Sequence, residues 1–328
     1  MKLAAYVSLA FALVVRCRSG SNSLAFVALG DWGGKGTNPF TTHAELLVGK
    51  AMAETATSLQ SNFTVALGDN FYYYGVKDVS DSRFKNTFED VFTAKSLQSR
   101  WYMVLGNHDH YGNASAEIDY TNHSDRWYLP NYYYTEVLSI GDSNATLQLV
   151  FIDTVQLAGL TDPFDHSLPP GGPESISAAS DQWEWIESTL KTSNATWLIV
   201  AGHYPVWSIA EHGPTNVLVA QLRPLLEKYN VTAYLCGHDH NLQHIREENS
   251  TVNYYLSGAG HLTDPSIKHK DSIPNGSLRF HYGPNDLLSD HGGYTAFQLS
   301  ATEMTVTYFS DTGSHLYSTT VTTPRSRV

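Results

Sequence analysis

Phe63-Thr64-Val65-Ala66-Leu67-Gly68-Asp69-Asn70-Phe71-Tyr72 sets the pattern of this chain. An apolar and β-branched run leads straight into Gly-Asp. Such a run reads as a buried β-strand whose C-terminal end delivers a polar side chain. The construction recurs on both sides of it. Leu24–Leu29 leads to Gly30-Asp31-Trp32-Gly33, and Tyr102–Leu105 to Gly106-Asn107-His108-Asp109. Trp197–Ala201 leads to Gly202-His203, and Val231–Cys236 to Gly237-His238-Asp239-His240. Taken singly, Asp31, Asp69 and Asn107 read equally well as cap or turn residues, and His203 as a hydrogen-bonded core histidine. Tyr72 lies in the aromatic run Phe71–Tyr74, which packing alone would explain. Recurrence at five strand ends points instead to one shared site. His238 and His240 stand two apart beyond a strand, so extended backbone turns both to one side. Carboxylate, imidazole, phenol and amide oxygen together suit a pair of first-row transition metals.

Helical spacing appears between these strands. Thr41–Gln60 puts Ala44, Leu47, Val48 and Ala51 on one face, and Arg83–Phe92 does the same with Phe84, Phe88, Val91 and Phe92. Ser180–Leu190 reads as a third helix, and Val217–Tyr229 as a fourth, bent at Pro224. Tyr294–Leu299, Met304–Phe309 and Leu316–Val321 alternate like consecutive antiparallel strands. The order predicts an α/β fold of two sheets packed face to face with helices outside. Residues 157–178, with Pro169-Pro170-Gly171-Gly172-Pro173, read as a long irregular loop, either a lid or simply mobile.

The chain has 328 residues, 42% of them apolar, enough for a substantial core. Lys2, the apolar Leu3–Val15, and small residues Cys17 and Ser19 read as a secretory signal peptide over residues 1–19. Residues 20–328 are then a single catalytic domain, with no later segment apolar enough to span a membrane. Loss of Lys2, Arg16 and Arg18 takes the formal charge from −12 to about −15. That balance excludes nucleic acid held on a broad basic surface, but not a phosphate ligand, because bound metals invert the local field. Cys17 leaves with the signal, so Cys236 has no intramolecular partner and reads as a buried, inert thiol. Asn-x-Ser/Thr sequons stand at Asn62, Asn113, Asn122, Asn144, Asn194, Asn230, Asn249 and Asn275. Chance would give roughly three. The excess points to a secreted or lysosomal glycoprotein, with N-linked glycans first expected at Asn113 and Asn144.

The five segments, written G-D-x-G, G-D-x-x-Y, G-N-H-D, G-H and G-H-x-H, also resemble those of the calcineurin-like metallophosphoesterases and, within them, the purple acid phosphatases. Ala201-Gly202-His203-Tyr204-Pro205-Val206-Trp207-Ser208 and Ala233-Tyr234-Leu235-Cys236-Gly237-His238-Asp239-His240-Asn241-Leu242 are similar to strings of the small animal tartrate-resistant acid phosphatases. The resemblance covers nearly the whole mature chain, including Leu278-Arg279-Phe280-His281-Tyr282-Gly283. It implies a four-layer α/β/β/α sandwich of two mixed sheets, a monomer, and an acid phosphatase acting on phosphomonoesters, small molecules or phosphoproteins. It also implies that Asp31, Asp69, Tyr72 and His240 hold Fe(III). Asp69 bridges to a divalent ion completed by Asn107, His203 and His238. That ion is expected to be Fe(II), with Zn or Mn as alternatives. In-line attack of a metal-bound hydroxide is the implied chemistry, with His212 as proton donor to the leaving group and His108 alongside.

Many metallophosphoesterases carry His where this chain has Gly33, and Tyr72 supplies the replacement donor. A phenolate is hard and anionic, so it favours Fe(III) and gives a charge-transfer colour. Gly33 and Tyr72 speak against the nearest alternatives, a phosphodiesterase or a protein phosphatase. An iron-binding glycoprotein without turnover would show the same ligands.

Overall fold

A computed structural model describes residues 23–162, 168–284 and 291–322. The expected signal peptide, residues 163–167 of the irregular loop, and residues 323–328 lie outside the described residues. The strands are β1 (Leu24–Leu29), β2 (Phe63–Leu67), β3 (Trp101–Val104), β4 (Trp127–Tyr128), β5 (Tyr134–Ser139), β6 (Thr146–Phe151), β7 (Trp197–Ala201), β8 (Ala233–Cys236), β9 (Leu242–Ile245), β10 (Asn253–Ser257), β11 (Leu278–Tyr282), β12 (Gly293–Leu299), β13 (Met304–Ser310) and β14 (His315–Val321). The α-helices are α1 (His43–Leu59), α2 (Asn107–His110), α3 (Ala114–Tyr120), α4 (Thr154–Ala158), α5 (Ile176–Thr192) and α6 (Arg223–Lys228).

Two seven-stranded mixed sheets form among the described residues. The first runs β14-β13-β12-β1-β2-β3-β4 and the second β11-β9-β10-β8-β7-β6-β5. β1, β2 and β3 are parallel in the first sheet, and β6, β7, β8 and β10 in the second. Both faces of these central strands are covered, which is why their sequences are almost continuously apolar. In β7, Trp197, Ile199 and Ala201 join the core between the sheets, while Leu198 and Val200 join the layer under α5 and α6. On the other side, Val48, Ala51 and Met52 of α1 pack with the first sheet. This is the expected α/β/β/α sandwich.

Local chemistry explains the element ends. Thr42 caps α1, its hydroxyl accepting the Glu45 amide at 3.1 Å while the Glu45 carboxylate accepts the Thr42 amide at 3.2 Å. Ser175 caps α5, so that helix begins at Ile176 rather than at Ser180. α4 takes the start of the expected irregular loop, residues 157–158, and α5 takes its end, residues 176–178. Pro224 lies inside the expected fourth helix, which runs unbroken through residues 216–228. A π-helical segment at Leu218–Leu222 passes directly into α6, and Arg223 N donates to Leu218 O just before the proline, whose ring nitrogen has no proton to donate. Phe84–Glu89 is also π-helical. The predicted C-terminal meander is present as β12–β14, with β12 antiparallel to β1.

The parallel strands of both sheets end on the same side, and the sheets are sewn together there. The Gly30 amide donates to Ser257 O at 2.6 Å, and His203 Nδ1 donates to Leu67 O at 2.8 Å. Clefts at the carboxyl ends of such strands are where α/β folds place ligands.

Candidate metal centre

Three of the chemistry-bearing residues leave their strands with a left-handed backbone. Asp31 (φ 56°), Asp69 (φ 52°) and His238 (φ 74°) occupy the left-handed region, which L-residues avoid. Such conformations cost on the order of 1–3 kcal/mol each and persist only where the surroundings enforce them. A Cβ on Gly106 would fall 2.2 Å from Asp69 Oδ1, so the chain before Asn107 must be glycine.

The seven residues singled out by strand-end position converge. Tyr72 Oη lies 3.0 Å from Asp31 Oδ1, 3.1 Å from Asp69 Oδ2 and 2.9 Å from His240 Nε2. Asp69 faces a second group: its Oδ2 is 3.4 Å from His203 Nε2, which is 3.1 Å from Asn107 Oδ1. Ligand atoms of Asp69, His203 and His238 all fall within 4.8 Å of one another. His203 Nδ1 is spent on Leu67 O, which turns Nε2 toward Asp69. His108 and His212 line the same cavity, of about 180 Å³. The His108 ring lies 4.5 Å from that of Tyr72, and the His212 ring stacks on His238 at 4.1 Å.

Charge shows what the cluster lacks. Asp31 and Asp69 are 0% and 1% exposed. Among the described residues their ion-pair partners are histidines, not Lys or Arg. Without metal, burial would raise the pKa of Asp69, yet His203 and His108 hold it well below the usual carboxylate range. Burial pulls His203 down, but the Asp69 carboxylate prevails and lifts it to about 9. Burial, with Asp31 and Asp69 adjacent, pushes the Tyr72 hydroxyl well above its ordinary value. Burial, then His212 and His203, keep His238 well below the ordinary histidine value. Protons on His203 and Tyr72 thus stand where cations would compensate two buried carboxylates. The donor set fits two metal ions.

Gly33 and Tyr72 prove to be one feature. A Cβ on Gly33 would lie 2.5 Å from Phe71 N, so the turn that delivers Tyr72 fills the space a larger residue would need. The two segments pair through Gly33 N to Asp69 O and Tyr72 N to Gly33 O, both 3.1 Å.

Sequence reasoning missed several supporting residues. Arg83 donates to Tyr72 O at 2.5 Å and Gly33 O at 2.7 Å, locking that turn. Asp109 accepts the amides of Asn70, Phe71 and Gly106. His261 Nδ1 donates to Asp31 O at 2.6 Å, and its ring lies 4.3 Å from that of Tyr72. The signal for His261 was present: strand Asn253–Ser257, then Gly258-Ala259-Gly260, repeats the strand–glycine–histidine construction. Glu211 and Asp264 also line the cavity, and nothing in their spacing announced them.

A two-sheet α/β sandwich with such a cluster at its strand ends is a metallophosphoesterase. The family model for calcineurin-like phosphoesterases matches residues 24–242. Human tartrate-resistant acid phosphatase type 5 is 49% identical over 298 residues, 90% of each chain. Purple acid phosphatase 17 of Arabidopsis thaliana is 32% identical over 81% of this chain and 77% of its own. Among solved structures, GAP50, the anchor in the inner membrane complex of Plasmodium, superposes with a TM-score of 0.75 at 24% identity, covering 93% of this chain and 90% of that one. The chain belongs to the purple acid phosphatases, in the branch of the tartrate-resistant acid phosphatases, and is an acid phosphatase, a phosphoric monoester hydrolase. Membership implies a binuclear metal centre.

Proposed function

We propose that this phosphatase works at an Fe(III)–M(II) centre. Asp31, Asp69, Tyr72 and His240 would hold Fe(III). Asn107, His203 and His238 would hold the divalent ion, Fe(II) in this reading, with Zn or Mn as alternatives. Asp69 would bridge the two. One observation carries the reading: Tyr72 Oη within 3.1 Å of donors on Asp31, Asp69 and His240, with Asp69 shared by His203 and His238. When bound, the two ions supply Lewis acidity that draws in phosphate and lowers the pKa of water, keeping a nucleophile available at acid pH.

The chain's own residues position and protonate. His203 is oriented by Leu67 O, and Asp31 by the His238 amide at its Oδ2, 2.8 Å away. His212, on the His238 side of the cavity, is the proposed proton donor to the leaving oxygen. His108, on the Tyr72 side, grips the phosphate or serves as a second donor. Replacing His212 with Ala should lower turnover of an alkyl phosphate about 10²-fold, within the range for a general acid. An activated aryl phosphate should lose much less, and equal losses on both substrates would remove the proton-donor role. Metal analysis with a visible spectrum tests the centre: two ions per chain and a broad visible band support it. One zinc and no colour would overturn the iron assignment.

The substrates are phosphomonoesters, small molecules or phosphoproteins, and neither nucleic acid nor a membrane is a partner in this reading. We place the protein as a monomer in the secreted or lysosomal space, with residues 20–328 as one catalytic domain. No helix of the described residues is long and apolar enough to cross a membrane. Of the two leading glycan sites, Asn144 is exposed in the turn between β5 and β6. The Asn113 side chain is already engaged: its Oδ1 caps α3 and its Nδ2 donates to Lys77 O at 3.1 Å. Asn144 is therefore the better acceptor, and peptide mapping after deglycosylation should find it the more fully occupied.

A further inference from the structure

Residues 207–214 carry His212 to the cavity without forming a helix or strand, so the amides of this largely buried segment must find partners elsewhere. Here its backbone is tied down from one side by buried side chains of a single segment, residues 239–243. Asp239 is central. Its Oδ1 accepts the His212 amide at 2.9 Å, and its Oδ2 accepts the Ser208 hydroxyl at 2.5 Å. Ser208 Oγ in turn accepts the Ala210 amide at 3.1 Å and a Gln243 Nε2 proton at 2.8 Å. Gln243 Oε1 accepts the Ile209 amide at 3.0 Å. The amides of Ile209, Ala210 and His212 are thus all held by Asp239, Ser208 and Gln243, each 1% exposed or less.

The arrangement links two parts of the site that sequence keeps apart. Asp239 stands between His238 and His240, and the His212 ring stacks on His238. One carboxylate therefore fixes the position of the His212 backbone relative to the segment that carries two proposed metal ligands. Resting on the reading of His212 as proton donor, we propose that Asp239, with Ser208 and Gln243, is a positioning residue for that proton transfer. It touches neither substrate nor metal in this assignment. It sets the distance from His212 to the leaving oxygen, and an error of about 1 Å in such a placement costs on the order of 10²-fold in rate.

The test uses the metal-loaded enzyme with Asp239→Ala, Asp239→Asn, Ser208→Ala, His212→Ala and the double variant Asp239→Ala/His212→Ala. Turnover is measured on an alkyl phosphate and on an activated aryl phosphate, together with metal content and amide hydrogen exchange at residues 209–212. Asp239→Ala and Ser208→Ala should slow the alkyl ester about 10- to 100-fold and the aryl ester less than about 3-fold. Two metals should be retained, and exchange at 209–212 should rise. Asp239→Asn keeps an oxygen for the His212 amide and should restore most of the alkyl activity. The double variant should be no slower than His212→Ala, because two members of one device are not additive. Equal losses on both esters, a further loss in the double variant, or unchanged exchange would overturn the proposal. If His212→Ala itself shows no leaving-group dependence, the proton-donor reading fails. The exchange data then still decide whether Asp239 holds the loop.

Discussion

The two sheets divide the donor atoms by element. The ends of β1, β2 and β3 bring oxygen: Asp31, Asp69, Tyr72 and Asn107. The ends of β7 and β8 bring nitrogen: His203, His238 and His240. Neither set suffices alone. The oxygen side holds two buried carboxylates with no Lys or Arg paired to them among the described residues; His108 of the same sheet stands 3.9 Å from Asp69, while His203 and His240 reach the two carboxylates across the gap between the sheets. Ions held between the two sets would act as staples from sheet to sheet, so that metal affinity and folding free energy become one quantity.

The strongest way to break the division is at the residue both ions would share. Asp69→Asn keeps an oxygen but removes the charge and the second lone-pair set. Metal content should fall from two ions to one or none, and phosphatase activity by about 10³-fold, the upper range for losing one electrostatic stabiliser. A variant that keeps two metals and near-normal turnover would show that Asp69 does not bridge.

Removing the ions leaves the cross-sheet pair Asp69–His203, whose sign can be worked out. His203 is raised to about 9, so its contribution to stability is complete below its unfolded pKa of about 6.5 and disappears as pH climbs through 9. Asp69 is depressed, so its contribution is present above about 3.9 and disappears on acidification through its lowered folded pKa. The metal-free protein should therefore be most stable between about pH 4 and 6.5 as far as this pair is concerned. Urea unfolding at pH 6 and at pH 9.5 should differ by at most about 3 kcal/mol in favour of pH 6, and reloading metal should erase the difference. Greater stability of the metal-free protein at pH 9.5 would contradict the pairing.

Legibility in the sequence followed burial. β1, β2 and β7 were readable to the residue because both of their faces are covered and their sequences are almost wholly apolar. β5 was passed over: it is an edge strand with alternate exposure, and its Val137 is 60% exposed. β9 was missed for the opposite reason. Its Gln243 and His244 look like surface residues, yet both are buried because partners at 208–209 and 317, far away in the chain, and at 253 on the neighbouring strand satisfy them. The seven donors could be found because each follows its strand within a few residues. Arg83 could not, since its role depends on Gly33 O, 50 residues away.

The smallest expected effect probes whether the oxygen sheet can be made to give nitrogen. Gly33 is where many metallophosphoesterases place an imidazole, so Gly33→His would seem to supply one. The fold forbids it. The new Cβ would meet Phe71 N at 2.5 Å and Asn70 C at 2.6 Å, both backbone atoms that cannot swing aside. Arg83 holds the carbonyls of Gly33 and Tyr72 together, so the turn cannot open without breaking two hydrogen bonds to a buried guanidinium. Overpacking of this kind costs about 1–3 kcal/mol. Gly33→His should therefore lower the midpoint of thermal unfolding while leaving the metal content, and the visible band that the proposed Tyr72–Fe(III) pairing would give, as in the parent. In the double variant Gly33→His/Tyr72→Phe, the band should be lost and the histidine should not restore the first ion. If Gly33→His instead folds as stably as the parent and loses its visible band, the imidazole has displaced the phenol. The choice of donor would then be set by one side chain rather than by the turn that carries it.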